Sequence, residues 1–271
     1  MTQTSAASTP LADLQPAADD HTVAAALAGA AGRRLLEIRT ELGFTDAGAL
    51  RSAGDRGAQD LLSTALSRLR PQDAVLSEEA GDDPARLTSP RVWIIDPLDG
   101  TREFSEQGRS DWAVHVALWI DGVIAVGAVA LPDRGITLAT PNIVVPRAHS
   151  GRPRVVVSRT RPPAQARAVA AALDADIVAL GSAGAKVSAV VLGEAEVYVH
   201  GGGQYEWDSA APVAVAMAAG LHASRLDGSA LRYNQPDPYL PDLVVCRGDL
   251  RDAVLAALNV DQVDQLGHVG S

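Results

Sequence analysis

At 271 residues and 47% hydrophobic content the chain can bury a sizeable core in one large domain or two modest ones, which excludes disorder throughout. Its net charge of −10 excludes non-specific binding to nucleic acid or to an anionic membrane, because both need a basic face. A single cysteine, Cys246, excludes an intramolecular disulfide framework.

Residues 1–19 are rich in Ser, Thr, Pro and Ala and read as a loose tail. They lack the basic start and apolar stretch of a secretory leader, and no apolar run reaches the roughly 20 residues of a membrane helix, so a cytoplasmic protein with no membrane partner is expected. Val23, Leu27, Ala31, Leu35 and Ile38 recur at helical spacing and predict a helix over 20–39. A second helix is expected after Asp55, with Leu61, Leu62, Ala65, Leu66 and Leu69 on one face and Pro71 as its stop. Ala74–Leu76 and Val92–Ile95 read as strands. The alternation from Trp112 to Leu118, the Asp121-Gly122 pair and the run Val123–Leu131 read as a hairpin. Pro141 to Arg154, with three prolines, marks a boundary between a region 20–150 and a region 151–271. Beyond it strands (155–157, 177–180, 196–199, 243–246) alternate with helices (163–173, 183–192, 208–219, 250–258), the pattern of an α/β layer. Cys246 lies in the last of these strands and reads as a small buried hydrophobe.

The sharpest chemistry lies in Trp93-Ile94-Ile95-Asp96-Pro97-Leu98-Asp99-Gly100-Thr101. An apolar strand delivers Asp96, and Pro97 stops the strand so that Asp96 and Asp99 turn toward one point. Two carboxylates this close repel unless a cation lies between them, and the helix start at Thr101 offers N–H groups to a phosphate. Read alone, Asp-Pro and Asp-Gly are equally ordinary turn pairs. Glu78-Glu79 after a strand adds acid. Asp208, after Gly201-Gly202-Gly203, opens a helix and is either a ligand or only an N-cap, and the same choice applies to Asp55. Oxygen ligands without a Cys/His cluster suit Mg2+ rather than zinc.

Asp96-Pro97-Leu98-Asp99-Gly100-Thr101 and Trp207-Asp208-Ser209-Ala210-Ala211 resemble the two signature motifs of the inositol monophosphatase superfamily. Glu78-Glu79 resembles its acidic pair, and Ser52-Ala53-Gly54-Asp55 its Thr-x-x-Asp element. The resemblance implies a layered αβαβα sandwich, lithium sensitivity and a Mg2+-dependent phosphatase. It implies one Mg2+ on Glu78, Asp96 and the Leu98 carbonyl, and a second on Asp96, Asp99 and Asp208. A third ion on Glu78 stays open, because Asp46–Arg51 is shorter than the family's mobile loop and lacks its lysine and Ser-Pro. Asp55 and Thr101 would orient and deprotonate water, and the N–H groups of Gly100 and Thr101 would hold the phosphate.

Within the superfamily the chain is most similar to the CysQ-type 3′-phosphoadenosine 5′-phosphate phosphatases of sulfate assimilation. Arg102-Glu103-Phe104, Val157-Ser158-Arg159 and Gly181-Ser182-Ala183-Gly184-Ala185-Lys186 carry that likeness. It implies a nucleotide bisphosphate held by Gly100, Thr101, Arg102, Ser158, Ser182 and Lys186, with Lys186 and Arg159 as cations for the second phosphate and Tyr233 stacked on adenine. Inositol monophosphate and fructose 1,6-bisphosphate are the sibling substrates, and a catalytically idle metal- or anion-binding regulator is the reading from another class. A homodimer is left open. His115, His200 and His222 are expected to be structural.

Overall fold

Asp19 and Asp46 dictate where the helical layer begins. Each carboxylate accepts the N–H three residues on, Thr22 N at 3.0 Å and Ala49 N at 2.9 Å, and so caps a helix. In the computed structural model, which describes residues 10–143 and 151–267, with side chains described to residue 259, these helices are α1 (Asp20–Leu42) and α2 (Ala47–Leu69). The second starts eight residues before Asp55 rather than after it, because Asp46 supplies the cap. Asp55 therefore sits in mid-helix and is no cap, and 46–51 is helix start rather than loop.

Five strands follow the helices: β1 (Ala74–Ser77), β2 (Arg91–Asp99), β3 (Ala113–Ile120), β4 (Val123–Leu131) and β5 (Ile136–Ala139), with the single turn α3 (Thr101–Phe104) between β2 and β3. They lie in that order in one sheet, with β1 parallel to β2 and the rest antiparallel. Asp121 and Gly122 take φ of 45° and 104°, the paired positive values of a tight hairpin turn. β5 was not expected from the sequence.

After residue 150 come β6 (Arg154–Ser158), α4 (Ala164–Ala172), β7 (Asp176–Leu180), α5 (Ala183–Val191), β8 (Val197–His200), β9 (Gln204–Tyr205), α6 (Glu206–Ala218), β10 (His222–Ser224), β11 (Tyr239–Leu240), β12 (Leu243–Cys246) and α7 (Arg251–Gly267). The second sheet runs β10-β12-β8-β6-β7, and β9 pairs with β11 in a separate ribbon.

Side-chain alternation builds the layers. Trp93, Ile95, Val114, Val116 and Leu118 pack with α1 and α2, while Val92, Ile94, Ala113 and Ala117 point the other way, toward α5 and α6. Tyr198, Leu243 and Val245 of the second sheet join that same middle core. On its far face Val155, Val197 and Cys246 pack with α4 and α7. The order is therefore helix, sheet, helix, sheet, helix, the αβαβα sandwich the resemblance implied. Small residues set the close spacing: a Cβ on Gly127 of β4 would lie 2.5 Å from Ala214 Cβ and 2.8 Å from Ala211 O of α6.

Residues 10–19 do not form part of a loose tail. Leu14 is buried in the first core, and Arg68 donates to Leu14 O at 2.8 Å and Leu11 O at 2.9 Å. Residues 1–9, and residues 144–150 within the expected boundary, lie outside the described residues. Cys246 is fully buried and its thiol is pushed up to about 12 by burial, which keeps it inert.

Candidate active site

Three aspartates from two distant parts of the chain meet at the ends of β2 and α6. Asp96, Asp99 and Asp208 each place an oxygen within 4.8 Å of the others. Each also commits one oxygen to a backbone N–H. Asp96 Oδ1 accepts from Leu98 N at 3.0 Å, Asp99 Oδ2 from Gly184 N at 2.6 Å, and Asp208 Oδ2 from Tyr205 N at 2.7 Å. The second oxygen of each receives no hydrogen bond from the described residues, and Asp96 Oδ2 is fully buried without a donor. A buried, donorless carboxylate oxygen is costly unless a cation meets it.

Charge crowding says the same. Burial raises Asp96 well above the usual carboxylate range, and Glu78, Asp99 and Asp208 push it further. Burial and the Asp208 charge raise Glu78 to about 7, and burial with Asp99 raises Asp208 to about 6. Glu78 is exposed along part of its side chain, yet its carboxyl stands beside Asp96. Asp99 departs from this pattern. Burial alone would raise it, but contact with His115, the Lys186 charge and the Ser182 hydroxyl, which donates to Oδ2 at 2.5 Å, bring it to about 2. Three carboxylates around one point, with Glu78 beside Asp96 and oxygen donors only, fit a hard divalent cation such as Mg2+.

Gly100 makes the turn beside this cluster. Its φ is 87°, and a Cβ there would lie 3.0 Å from Ser182 Cβ. Thr101 donates its hydroxyl to Leu98 O at 3.1 Å, which leaves its oxygen lone pairs facing outward as acceptors. Gly54, next to Asp55, lets α2 approach the turn after β2: a Cβ on Gly54 would lie 2.7 Å from Phe104 Cε1 and 2.9 Å from Leu98 Cδ2. Burial and the neighbouring Glu79 raise Asp55 to about 6, the range of a general base near neutral pH. No hydrogen bond joins Asp55 to Thr101 among the described residues.

Beside the cluster lies a cavity of about 510 Å³. Gly100, Thr101, Arg102, Ser158, Ser182 and Lys186 line it, so six of the seven expected substrate contacts converge. The seventh, Tyr233, does not. It is 6% exposed, its hydroxyl lies 3.2 Å from Ser209 Oγ, and its neighbours Asn234 and Gln235 donate their N–H groups to the buried Glu206 carboxylate. That strap turns the ring into the core, and stacking on a ligand is withdrawn.

Two cations also differ from expectation. Lys186 lines the cavity but is 5% exposed, and its ammonium donates to Gly181 O at 3.0 Å and Ser182 O at 2.5 Å. Its burial lowers its pKa, against the pull of Asp99 and Glu103. Lys186 therefore holds the loop ahead of α5. Arg159 is bound at 2.6 Å to both Glu103 and Glu106. The exposed arginines on the cavity wall are Arg102 and Arg161, and neither forms an ion pair among the described residues. Arg161, three residues past β6, carried no motif and was missed. His115, expected to be structural, stands at the cluster. It lies 3.2 Å from Asp99 Oδ2, and its signal was an imidazole between Ala113 and Ala117 on a buried strand face.

A family model, that of the inositol monophosphatase family, matches residues 17–262. A 3′-phosphoadenosine 5′-phosphate phosphatase from Mycobacterium leprae is 54% identical over 259 residues, covering 91% of this chain and 96% of that protein. The 3′(2′),5′-bisphosphate nucleotidase CysQ of Escherichia coli K12 is 30% identical over 204 residues, 70% of this chain and 81% of that protein. Among solved structures, CysQ from Bacteroides thetaiotaomicron superposes with a TM-score of 0.70 at 24% identity, covering 83% of this chain and 95% of that one, which is a likeness of fold.

Proposed function

This chain belongs to the inositol monophosphatase family, and from that premise we propose that it is a Mg2+-dependent phosphatase removing the 3′-phosphate of 3′-phosphoadenosine 5′-phosphate. The observation that carries the metal chemistry is the set of three carboxylates, each tied by one oxygen and open at the other. Asp96, Asp99 and Asp208 would hold one ion, and Asp96, Glu78 and the Leu98 carbonyl a second. Bound there, Mg2+ neutralises phosphate charge and makes water more acidic.

The chain's own groups do the rest. Gly100 and Thr101 open α3 with N–H groups that have no intrahelical partner and face a phosphate. The Thr101 oxygen accepts a hydrogen bond from the attacking water, and Asp55 takes its proton. The water oxygen bonds to phosphorus as the ester P–O bond breaks, and the departing 3′-oxygen takes up a proton to become a hydroxyl. The fit to two phosphates comes from Arg102 and Arg161. On a chain of net charge −10 these unpaired cations are what brings a bisphosphate to this wall. A reducing compartment suits the lone buried thiol, and no described helix is long and apolar enough to cross a membrane.

The test is phosphate release from 3′-phosphoadenosine 5′-phosphate and from inositol 1-phosphate, side by side, with Mg2+, with EDTA and with Mg2+ plus Li+. Mg2+-dependent preference for the nucleotide supports the reading. Arg161→Ala is expected to raise KM for the nucleotide about tenfold, roughly one charge-assisted contact, and to leave KM for inositol 1-phosphate nearly unchanged. Equal effects on both substrates would remove Arg161 from the second-phosphate role.

Gly54→Val tests the placement of Asp55. Overpacking against Phe104 and Leu98 is expected to cost about 1–3 kcal/mol of stability. A shift of about 1 Å in Asp55 is expected to lower kcat by roughly 10²-fold with KM little changed. Thermal melts and steady-state kinetics read the two effects, and unaltered kcat would detach Asp55 from the chemistry.

A further inference from the structure

His115 touches both acidic motifs. It lies on β3, is fully buried, and faces α5 and α6 between Ala113 and Ala117. Its Nδ1 lies 3.0 Å from the carbonyl oxygen of Trp207. A carbonyl only accepts, so Nδ1 carries a hydrogen and donates. Its Nε2 lies 3.2 Å from Asp99 Oδ2 without a hydrogen bond to it, and Nδ1 is 3.9 Å from Asp96 Oδ2. The same Asp99 oxygen is held from the other side by Ser182 Oγ and Gly184 N. Gly184 is glycine where the space is already taken, since a Cβ there would collide with His115 Nε2. The imidazole is thus seated between the carboxylate that ends β2 and the carbonyl just before Asp208.

We propose that His115 is a positioning residue for the divalent cation, fixing the start of α6 through the Trp207 carbonyl so that Asp208 meets Asp96 and Asp99. This rests on the reading that Asp96, Asp99 and Asp208 are the ligands. Groups of this kind, one bond away from a metal, change its affinity by roughly 10- to 100-fold when removed. An imidazole that only filled space would be replaceable by an apolar side chain of similar volume with no effect on the cation. Here Nδ1 donates to the Trp207 carbonyl, and an apolar replacement leaves that carbonyl without this donor.

The experiment is Mn2+ binding by titration calorimetry and electron paramagnetic resonance, without substrate, on the wild-type chain, His115→Leu and His115→Asn, alongside thermal melts. Asn keeps a donor near the Nδ1 position and has nothing at Nε2. Leu is expected to bind Mn2+ about tenfold more weakly than wild type, with Asn recovering part of the loss. At saturating Mg2+, KM for the nucleotide is expected to stay within about threefold. A loss under fivefold in a folded Leu variant overturns the inference, even if its melting temperature falls. If Leu does not fold, Asn decides, and affinity within twofold of wild type overturns it. If the wild-type chain binds no Mn2+, the ligand reading fails first and the inference falls with it, a result distinct from equal binding by all three proteins.

Discussion

Asp99→Asn is expected to yield a folded protein whose turnover at saturating Mg2+ has fallen by about 10³-fold or more. The amide oxygen of Asn accepts from Ser182 Oγ and Gly184 N as Asp99 Oδ2 does, so the local hydrogen bonds survive. The amide nitrogen then takes the inward position, where it offers hydrogens to a site that collects cations. Loss of one ligating charge removes several kcal/mol of charge stabilisation, and about 4 kcal/mol corresponds to three decades in rate. The variant also loses the attraction of the Asp99 charge for His115 and Lys186, so its melting temperature in EDTA is expected to fall modestly below that of wild type. Phosphate release and a thermal melt on the same preparation decide the matter. Turnover within tenfold of wild type would remove Asp99 from the metal site.

The second large effect is on stability. Asp96 lies well above its ordinary range, Glu78 at about 7 and Asp208 at about 6, against about 4 in an unfolded chain. Acids raised in this way bind protons more tightly folded than unfolded. Their stabilisation is therefore complete below about pH 4 and is lost as pH rises through 6 to 7. His115, raised by its contact with Asp99 against the effect of burial, acts in the same direction. Asp99, at about 2, acts in the opposite sense, but its contribution is lost only below about pH 4. In EDTA the melting temperature is thus expected to fall between pH 5 and pH 8, by about 5 °C or more. Saturating Mg2+ replaces the protons and flattens the slope, so the Mg2+-induced shift is larger at pH 8 than at pH 5. A melting temperature in EDTA that is flat or rising over this range would mean the acids do not crowd as described.

The strands and helices that bury one face were legible because their periodicity is strong. β2, β3 and β4 are apolar runs with a two-residue turn, and α1 repeats at helical spacing. The start of α2 was hidden because its first turns are Ala, Gly, Leu and Arg, with too few apolar positions to show a face. β5 and β10 were hidden because four and three residues carry no period. In the site, Asp96, Asp99 and Asp208 could be read because their two motifs together resemble those of the family, whereas a carboxylate beside a strand stop or a helix start is by itself ordinary. The substrate wall was harder. Whether Lys186 meets a ligand or two carbonyls, and whether Tyr233 faces out or is strapped inward by Glu206, depends on partners far away in the chain. His115 is the sharpest case, since its meaning comes from Trp207, 92 residues on.

The first half of the chain provides Asp96 and Asp99, but the groups that orient Asp99 from the second half are Ser182 and Gly184, and Asp208 comes from α6. The acidic cluster is thus intact only while α5 and α6 stay closed on the first sheet. Parting of those layers would take the cluster apart, so breathing of the fold adds a route of ion loss beside direct release through the cavity. The amide hydrogen of Gly184, bonded to Asp99 and shielded by the same closure, exchanges with solvent at the rate of that opening and serves as its clock.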